Sequence, residues 1–172
     1  MTAGATYTPI ASQTLSSAAA SVTFSSISGS YTDLILVTQG ALSVNNNSLY
    51  CTFNSDTGSN YSSTSFEGYT NSLDSYRLSS QTKMLLSGVN IGLATTVGFS
   101  MHISNIMNYS NATTYKTTIG RWNNTNDAGN KEIGMTVGIW RSTSAITSIN
   151  IFSQSGNIAS GSTFALYGIL AA

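Results

Sequence analysis

The chain has 172 residues, of which only 7% are charged, and its six basic and six acidic residues cancel. An ordinary soluble domain carries about 25% charged residues, so Ser, Thr and Asn must supply most of the polar surface here. Without a basic patch or a run of like charges, the composition argues against nucleic acid or an anionic membrane surface as a partner. Because 41% of the residues are hydrophobic, the chain has the material for a core, and we expect a single domain spanning residues 1–172.

The first third of the chain shows short runs in which apolar residues alternate with polar ones between turn-forming residues, a pattern typical of β-strands. This pattern predicts strands over residues 6–15, 21–27, 31–38 and 49–53. Within the third of these, Leu34–Val37 is apolar on both faces, so that strand should be buried on both sides. Residues 1–20 are either an extended N-terminal arm or an edge strand, because the only proline, Pro9, is tolerated near the start or edge of a sheet.

The middle of the chain is less regular. Residues 59–92 contain tyrosines scattered among Ser and Thr without a clear period, which predicts long loops with edge pieces and one short strand over residues 83–86. Alternation returns over residues 97–103 and 113–122, so two more strands are predicted there, followed by a polar loop over residues 123–130.

The last third contains three apolar-rich runs, which predict strands over residues 132–140, 148–153 and 162–170. The first of them has an apolar face and an opposite face of small, polar and aromatic residues: Ile133, Met135, Val137 and Ile139 against Gly134, Thr136, Gly138 and Trp140. The last run is apolar on both faces and should lie inside a sheet or against another subunit, because an exposed apolar edge recruits other chains. About nine to eleven strands and no amphipathic helix predict an all-β fold, an antiparallel β-sandwich of the jelly-roll type.

No group of residues in the sequence indicates catalysis or metal binding. His102 is the only histidine, Cys51 is the only cysteine, and neither accompanies a nucleophile motif or a cluster of carboxylates. The run Asp56-Thr57-Gly58 matches the short aspartic-protease signature, but polar residues precede it where that motif has apolar ones, so a turn is the better interpretation. We expect no enzyme activity, no catalytic residue, no metal and no cofactor.

Three aromatic residues are candidates for contact with a glycan or a protein partner: Tyr61, Tyr69 and Trp122. Each lies in or beside an irregular segment, and aromatic rings stack on sugar rings or pack in protein interfaces. Packing in the core is the other interpretation for each of them, and for a single Trp such as Trp122 it is the one we favour.

A second group of candidates concerns self-association. Gly134 and Gly138 remove side chains from one face of a strand and would let another surface approach closely. Tyr167 and Ile169 belong to a strand with no polar face to turn to water. We predict that these four residues lie at the interface of a homo-oligomer. The low charge of the chain fits a subunit whose surface is covered by neighbours, although a monomer with a hydroxyl-rich surface is the alternative.

Several segments of the sequence resemble small structural proteins of tailed bacteriophages, notably those of aquatic phages including cyanophages: residues 7–15, 20–27, 31–34, 53–62 and 161–169. Related proteins of this group look like either head-decoration or tail-appendage proteins. The resemblance implies a non-enzymatic subunit of the virion, and we expect a capsid decoration protein first. The alternative is a tail-fibre or receptor-binding subunit that contacts host surface glycans.

The resemblance also implies partners and a location. A trimer of this chain would contact the major capsid protein or tail proteins at the surface of the virion. The N-terminal residues lack the basic start and the continuous apolar segment of a signal peptide, and no run approaches the roughly 20 apolar residues of a membrane span. We therefore expect synthesis in the host cytoplasm without a membrane segment.

Overall fold

The computed structural model describes residues 6–44, 47–69, 71–88, 99–125 and 131–170. These residues form twelve β-strands and no helix, so the prediction of an all-β fold is confirmed. The first six strands are β1 (Tyr7–Thr14), β2 (Ser21–Phe24), β3 (Asp33–Gly40), β4 (Leu49–Phe53), β5 (Tyr61–Tyr69) and β6 (Ser72–Gln81). The other six are β7 (Met84–Leu85), β8 (Ser100–Met107), β9 (Lys116–Thr125), β10 (Lys131–Trp140), β11 (Ile149–Ser153) and β12 (Thr163–Ile169).

Two antiparallel sheets make up the sandwich. The larger sheet has eight strands in the order β1-β12-β3-β8-β9-β10-β5-β6, and the smaller one has four in the order β2-β11-β4-β7. Four pairs are nested along the chain, because β1 pairs with β12, β2 with β11, β3 with β8 and β4 with β7. A long antiparallel hairpin that rolls up into two facing sheets has this nesting, so the fold is a jelly roll. Strands β9, β10, β5 and β6 extend the larger sheet beyond the nested pairs.

Apolar side chains from both sheets meet in one hydrophobic core. Its completely buried members include Leu34, Leu36, Cys51, Phe53, Ile149, Ile151 and Leu166. Burial raises the pKa of the Cys51 thiol, so this side chain behaves as a small apolar residue. Strand β12 lies between β1 and β3, which confirms that the last apolar run lies inside a sheet. Strand β1 forms the edge of the same sheet, and residues 1–5 lie outside the described part.

The prediction for the middle of the chain is wrong. Most of residues 59–92, predicted as long loops with edge pieces, form the long strands β5 and β6, of which β6 is the edge of the larger sheet. The inward positions of β5 carry Ser63, Ser65 and Glu67, which are buried although they are polar. The strand therefore lacks the apolar alternation that identifies a half-buried strand in a sequence.

Other boundaries differ by a few residues. Strand β7 lies within the short strand predicted over residues 83–86, and β9 continues to Thr125, so Asn123 belongs to a strand and not to the predicted polar loop. The rest of that loop, residues 126–130, lies outside the described part of the chain, as do residues 89–98.

Candidate interaction surface

The apolar face of β10 points outward. Ile133, Met135 and Val137 are 69%, 49% and 52% exposed, whereas Thr136 and Trp140 on the other face are buried. In a sandwich the apolar face of a strand normally turns to the core, so the orientation of β10 is the reverse of what its hydrophobic pattern suggests. The exposed apolar residues therefore need an explanation beyond the fold itself.

The register of the larger sheet extends this exposed surface over the neighbouring strands. Paired residues on adjacent strands point to the same side of a sheet, and Met135 pairs with Phe66 on β5 and with Arg121 on β9. Val137 pairs with Ile119 on β9. We call this surface the outer face, and its large exposed apolar side chains are Tyr7, Phe66, Leu73, Met101, Ile119, Ile133, Met135 and Val137.

Between β1 and β10 the outer face curves into a depression of about 530 Å³. Its lining is mostly apolar and consists of Tyr7, Ile35, Val37, Ile103, Asn105, Ile119, Gly120, Arg121, Met135 and Tyr167. Arg121 is the one charged residue of this lining. Tyr167 and Ile169, two of the residues predicted for a subunit interface, are half-buried on this side of the sheet.

The outward face of the smaller sheet is polar by comparison. Thr23 Oγ1 donates a hydrogen bond to Asn150 Oδ1 over 2.9 Å across the β2–β11 pair. Tyr50 and Phe152 are stacked nearby, and the Lys83 ammonium lies 4.1 Å from the centroid of the Tyr50 ring. A charged group thus covers the aromatic surface there. Among the described strands, the large exposed apolar surface belongs to the larger sheet.

Hydrogen-bonded polar side chains line the inward face of the larger sheet around β5, β9 and β10. Tyr76 Oη donates to Glu67 Oε1 over 2.6 Å, and Asn124 Nδ2 donates to Glu132 Oε2 over 3.1 Å. Burial, together with the neighbouring Glu67, raises the pKa of Tyr76, so its hydroxyl stays protonated and can donate. Because these buried groups have partners, their burial avoids the large cost of an unpaired polar group.

The same inward face carries large aromatic side chains. Trp140 on β10, Trp122 on β9 and Tyr61 on β5 are all buried. Aromatic rings of this size bury on the order of 150–250 Å² each, which favours turning their face inward. The aromatic rings and the hydrogen-bonded polar groups together explain why β10 leaves its aliphatic side chains outside.

His102 and Trp122 pair across β8 and β9 on the inward face. Both line a cavity of about 20 Å³, and among the described protein atoms neither His102 Nδ1 nor Trp122 Nε1 has a hydrogen-bond partner. His102 Nε2 lies 3.0 Å from Ser104 Oγ. Burial lowers the pKa of His102 to about 4, so the imidazole is uncharged at neutral pH.

The aromatic residues predicted to contact a glycan are not at the surface. Tyr61 is completely buried, and the backbone N–H of Phe53 donates to its Oη over 3.0 Å. Trp122 is also buried. Neither ring presents a face to solvent. The predicted contact of these two residues with a glycan is therefore wrong, and both rings pack in the interior. Tyr69 ends β5, and its side chain lies outside the described part of the chain.

Gly134 and Gly138 make room for side chains of the same chain. A Cβ atom at Gly134 would overlap the Trp122 indole and would lie 2.9 Å from the carbonyl oxygen of Phe66. A Cβ atom at Gly138 would overlap the sulfur of Met84. Both glycines face inward, so the close approach that they permit is intramolecular. This geometry corrects the subunit interface predicted for these two residues.

Replacing Gly134 by alanine should lower the free energy of unfolding by about 1–3 kcal/mol, because the added methyl group must displace the Trp122 ring or the β5 backbone. Urea unfolding followed by far-UV circular dichroism measures this change. Gly29→Ala is the matched control, since a Cβ atom at Gly29 would only reach an ordinary contact of 3.6 Å with Ser110. Equal stability of the two variants would contradict the packing of Trp122 over Gly134.

Within the described residues, no helix is long and apolar enough to cross a membrane. In the same part of the chain, no three His, Cys, Asp or Glu side chains are grouped so that they could hold a metal ion.

Comparisons with known proteins add little to this picture. No protein-family model matches the sequence, and no curated protein matches it. Among solved structures, the chain is similar to a protein of unknown function from Shewanella oneidensis MR-1, with 9% identity over 100% of this chain and 82% of that one and a TM-score of 0.20. A likeness this weak supports no conclusion about fold or function.

Proposed function

We propose that this chain is a non-enzymatic structural subunit of a bacteriophage virion and that it decorates the surface of the capsid. The observation that carries the proposal is the outer face, because a large exposed apolar surface is typical of a protein that functions within an assembly. The phage context comes from the resemblance of several sequence segments to small virion proteins.

The position of those segments in the fold supports the proposal. Residues 7–15 and 161–169 contribute the paired strands β1 and β12, and residues 31–34 lead into β3, which pairs with β12. Segments that are far apart in the sequence are therefore neighbours in one half of the larger sheet. The other two segments, residues 20–27 and 53–62, contribute β2 of the smaller sheet and the start of β5.

The proposed partners are other copies of this chain, with a trimer as the expected arrangement, and the major capsid protein or a tail protein. Only 7% of the residues are charged, so burying surface against neighbours requires little desolvation of charge. The tail-fibre alternative relied on exposed aromatic residues, and the burial of Tyr61 and Trp122 gives it no support.

Quantitative mass spectrometry of purified virions, and of heads and tails separated from them, tests the proposal. A capsid decoration protein should be present in many copies per particle and should remain with heads that lack tails. Presence in isolated tails together with absence from heads would contradict capsid decoration and would favour a tail-fibre subunit. Absence of the chain from virions would contradict any structural role.

A further inference from the structure

We propose that the outer face of the larger sheet is the surface through which copies of this chain bind one another. The contact is centred on Met135 and Val137 of β10, with Phe66 and Ile119 on the adjacent strands. The inference deepens the proposed function by naming the interface and its occupant, and it rests on that function for the place where the oligomer is used. The sequence predicted the interface on the side of β10 that carries Gly134 and Gly138, whereas the outer face is the opposite side of that strand.

The exposed apolar area matches what a stable contact between copies needs. Eight large apolar side chains of the outer face are between 37% and 75% exposed. An aromatic side chain offers roughly 150–250 Å² and an aliphatic one somewhat less, so eight that are about half exposed present on the order of 800 Å². A stable interface buries about 800 Å² per partner, whereas the largest apolar patch of a typical monomer is about 300–600 Å². The outer face thus offers enough apolar area for such an interface when a partner covers most of it.

These side chains belong to one continuous surface. Val37, Ile103 and Tyr167 line the depression that separates Tyr7 at the sheet edge from Met135 near the centre. The register places Ile103 beside Arg121 and Arg121 beside Met135, so apolar residues continue on both sides of the one charged lining residue. A partner that covers the centre of the face can therefore also cover the depression.

The charge on the outer face fits a partner of the same composition as this chain. Arg121 is the one charged residue that lines the depression, and the register adds Arg77 on β6 and Asp33 on β3 to the same side of the sheet. These few charges of both signs are spread over the face, so a strongly acidic or basic partner would find little complementary charge. A second copy brings an equally apolar face with hydroxyl, amide and carbonyl oxygens at its margins. Arg is enriched in protein interfaces because its planar guanidinium can hydrogen-bond such oxygens.

Contact through the outer face also leaves the oligomer with a polar exterior. The outward face of the smaller sheet, where Thr23 and Asn150 are hydrogen-bonded, stays in water. Each copy carries one large apolar face among its described strands, so association that covers this face leaves no second apolar surface for further growth. A fibre would need a second, complementary surface on each copy, so the described strands favour a closed oligomer.

Sedimentation velocity of the purified full chain tests the inference, with Val137→Asp as the interface variant and Ser21→Asp as the matched control. Val137 is exposed at the centre of the outer face, and Ser21 is exposed on a strand of the smaller sheet. Each substitution adds one negative charge at a position that solvent reaches in an isolated copy. Both variants should therefore fold, which circular dichroism checks.

The wild type and Ser21→Asp should sediment as the same oligomer at micromolar concentration. Val137→Asp should weaken association by about thirtyfold or more, because it places a charge among the apolar side chains at the centre of the interface. Val137→Thr, which keeps the branched shape and adds a hydroxyl group, should weaken association less than Val137→Asp.

A wild-type protein that stays monomeric at micromolar concentration would overturn the inference. An oligomer that Val137→Asp weakens no more than Ser21→Asp does would also overturn it, because the contact would then lie elsewhere. A monomer that binds phosphatidylcholine vesicles, with binding lost in Val137→Asp, would overturn it and assign the face to a lipid surface. The protein could associate through the outer face and yet be absent from virions. That result would support this inference and contradict the proposed function.

Discussion

Replacing Trp140 by alanine is expected to lower the free energy of unfolding by about 3–5 kcal/mol. The indole is 2% exposed at the end of β10, and its ring centroid lies 5.5 Å from that of Phe53 and 6.3 Å from that of Tyr61. Removing the indole leaves a cavity and takes contacts from both of these rings, which are themselves buried. Urea unfolding at a fixed protein concentration, followed by far-UV circular dichroism, measures the loss.

Trp140→Phe keeps a buried aromatic ring, although a smaller one, and removes the hydrogen bond that Trp140 Nε1–H donates to Asp56 Oδ2 over 2.6 Å. Burial alone would raise the pKa of Asp56, but hydrogen bonds from Trp140, Asn60 and Gly58 together hold it below its ordinary value. In the Phe variant the pKa of Asp56 should rise, because one of its hydrogen bonds is gone. The free energy of unfolding should fall by about 1 kcal/mol for the lost hydrogen bond, a modest amount because the carboxylate is partly in water. Tyr115→Ala, at an exposed ring, should change stability by less than about 0.5 kcal/mol. A Trp140→Ala loss as small as that would contradict the buried aromatic packing.

Lowering the pH from 7.5 to 5 is expected to reduce the free energy of unfolding by about 2 kcal/mol through His102. Burial lowers the pKa of His102 to about 4 from an ordinary value of 6.5. Between these two values the unfolded chain binds a proton that the folded chain does not bind. The contribution of the neutral His102 ring to the free energy of unfolding is therefore complete above pH 6.5 and is lost progressively as the pH falls towards about 4.

The titration of His102 can be observed directly. It is the only histidine of the chain, so its imidazole proton signals in an NMR spectrum need no assignment. These signals should keep the shifts of a neutral ring down to pH 5 while the chain is folded, and unfolding curves at pH 7.5 and 5 should show the loss of stability. His102→Phe should depend less on pH over this range. A midpoint near the ordinary 6.5 in the folded wild type would contradict the buried neutral ring.

The strands that were predictable from the sequence are those with a local run of apolar residues, either alternating or apolar on both faces, between turn-forming residues. Strand β4 occupies the predicted residues 49–53, and β12 lies within the predicted residues 162–170. Alternation and turn chemistry depend on residues that are close in sequence. Strand β5 lacks this signal, because a buried hydroxyl such as that of Ser65 is paired with Thr136 on another strand, 3.3 Å away. Only the folded chain brings that partner into place.

By itself the sequence determined the fold class, the positions of most strands and the presence of two unlike faces on β10, because successive side chains of a strand point to opposite sides. It did not determine which face of β10 lies inside. That choice depends on how Trp140 packs with Tyr61, on the space that Gly134 leaves for Trp122, and on hydrogen bonds between strands. All strands of a sheet must turn the same side to the core in one register, so the burial of several aromatic rings and paired polar groups outweighed the burial of the aliphatic residues of one strand. The tertiary structure therefore placed the glycines inside and the apolar side chains of β10 outside.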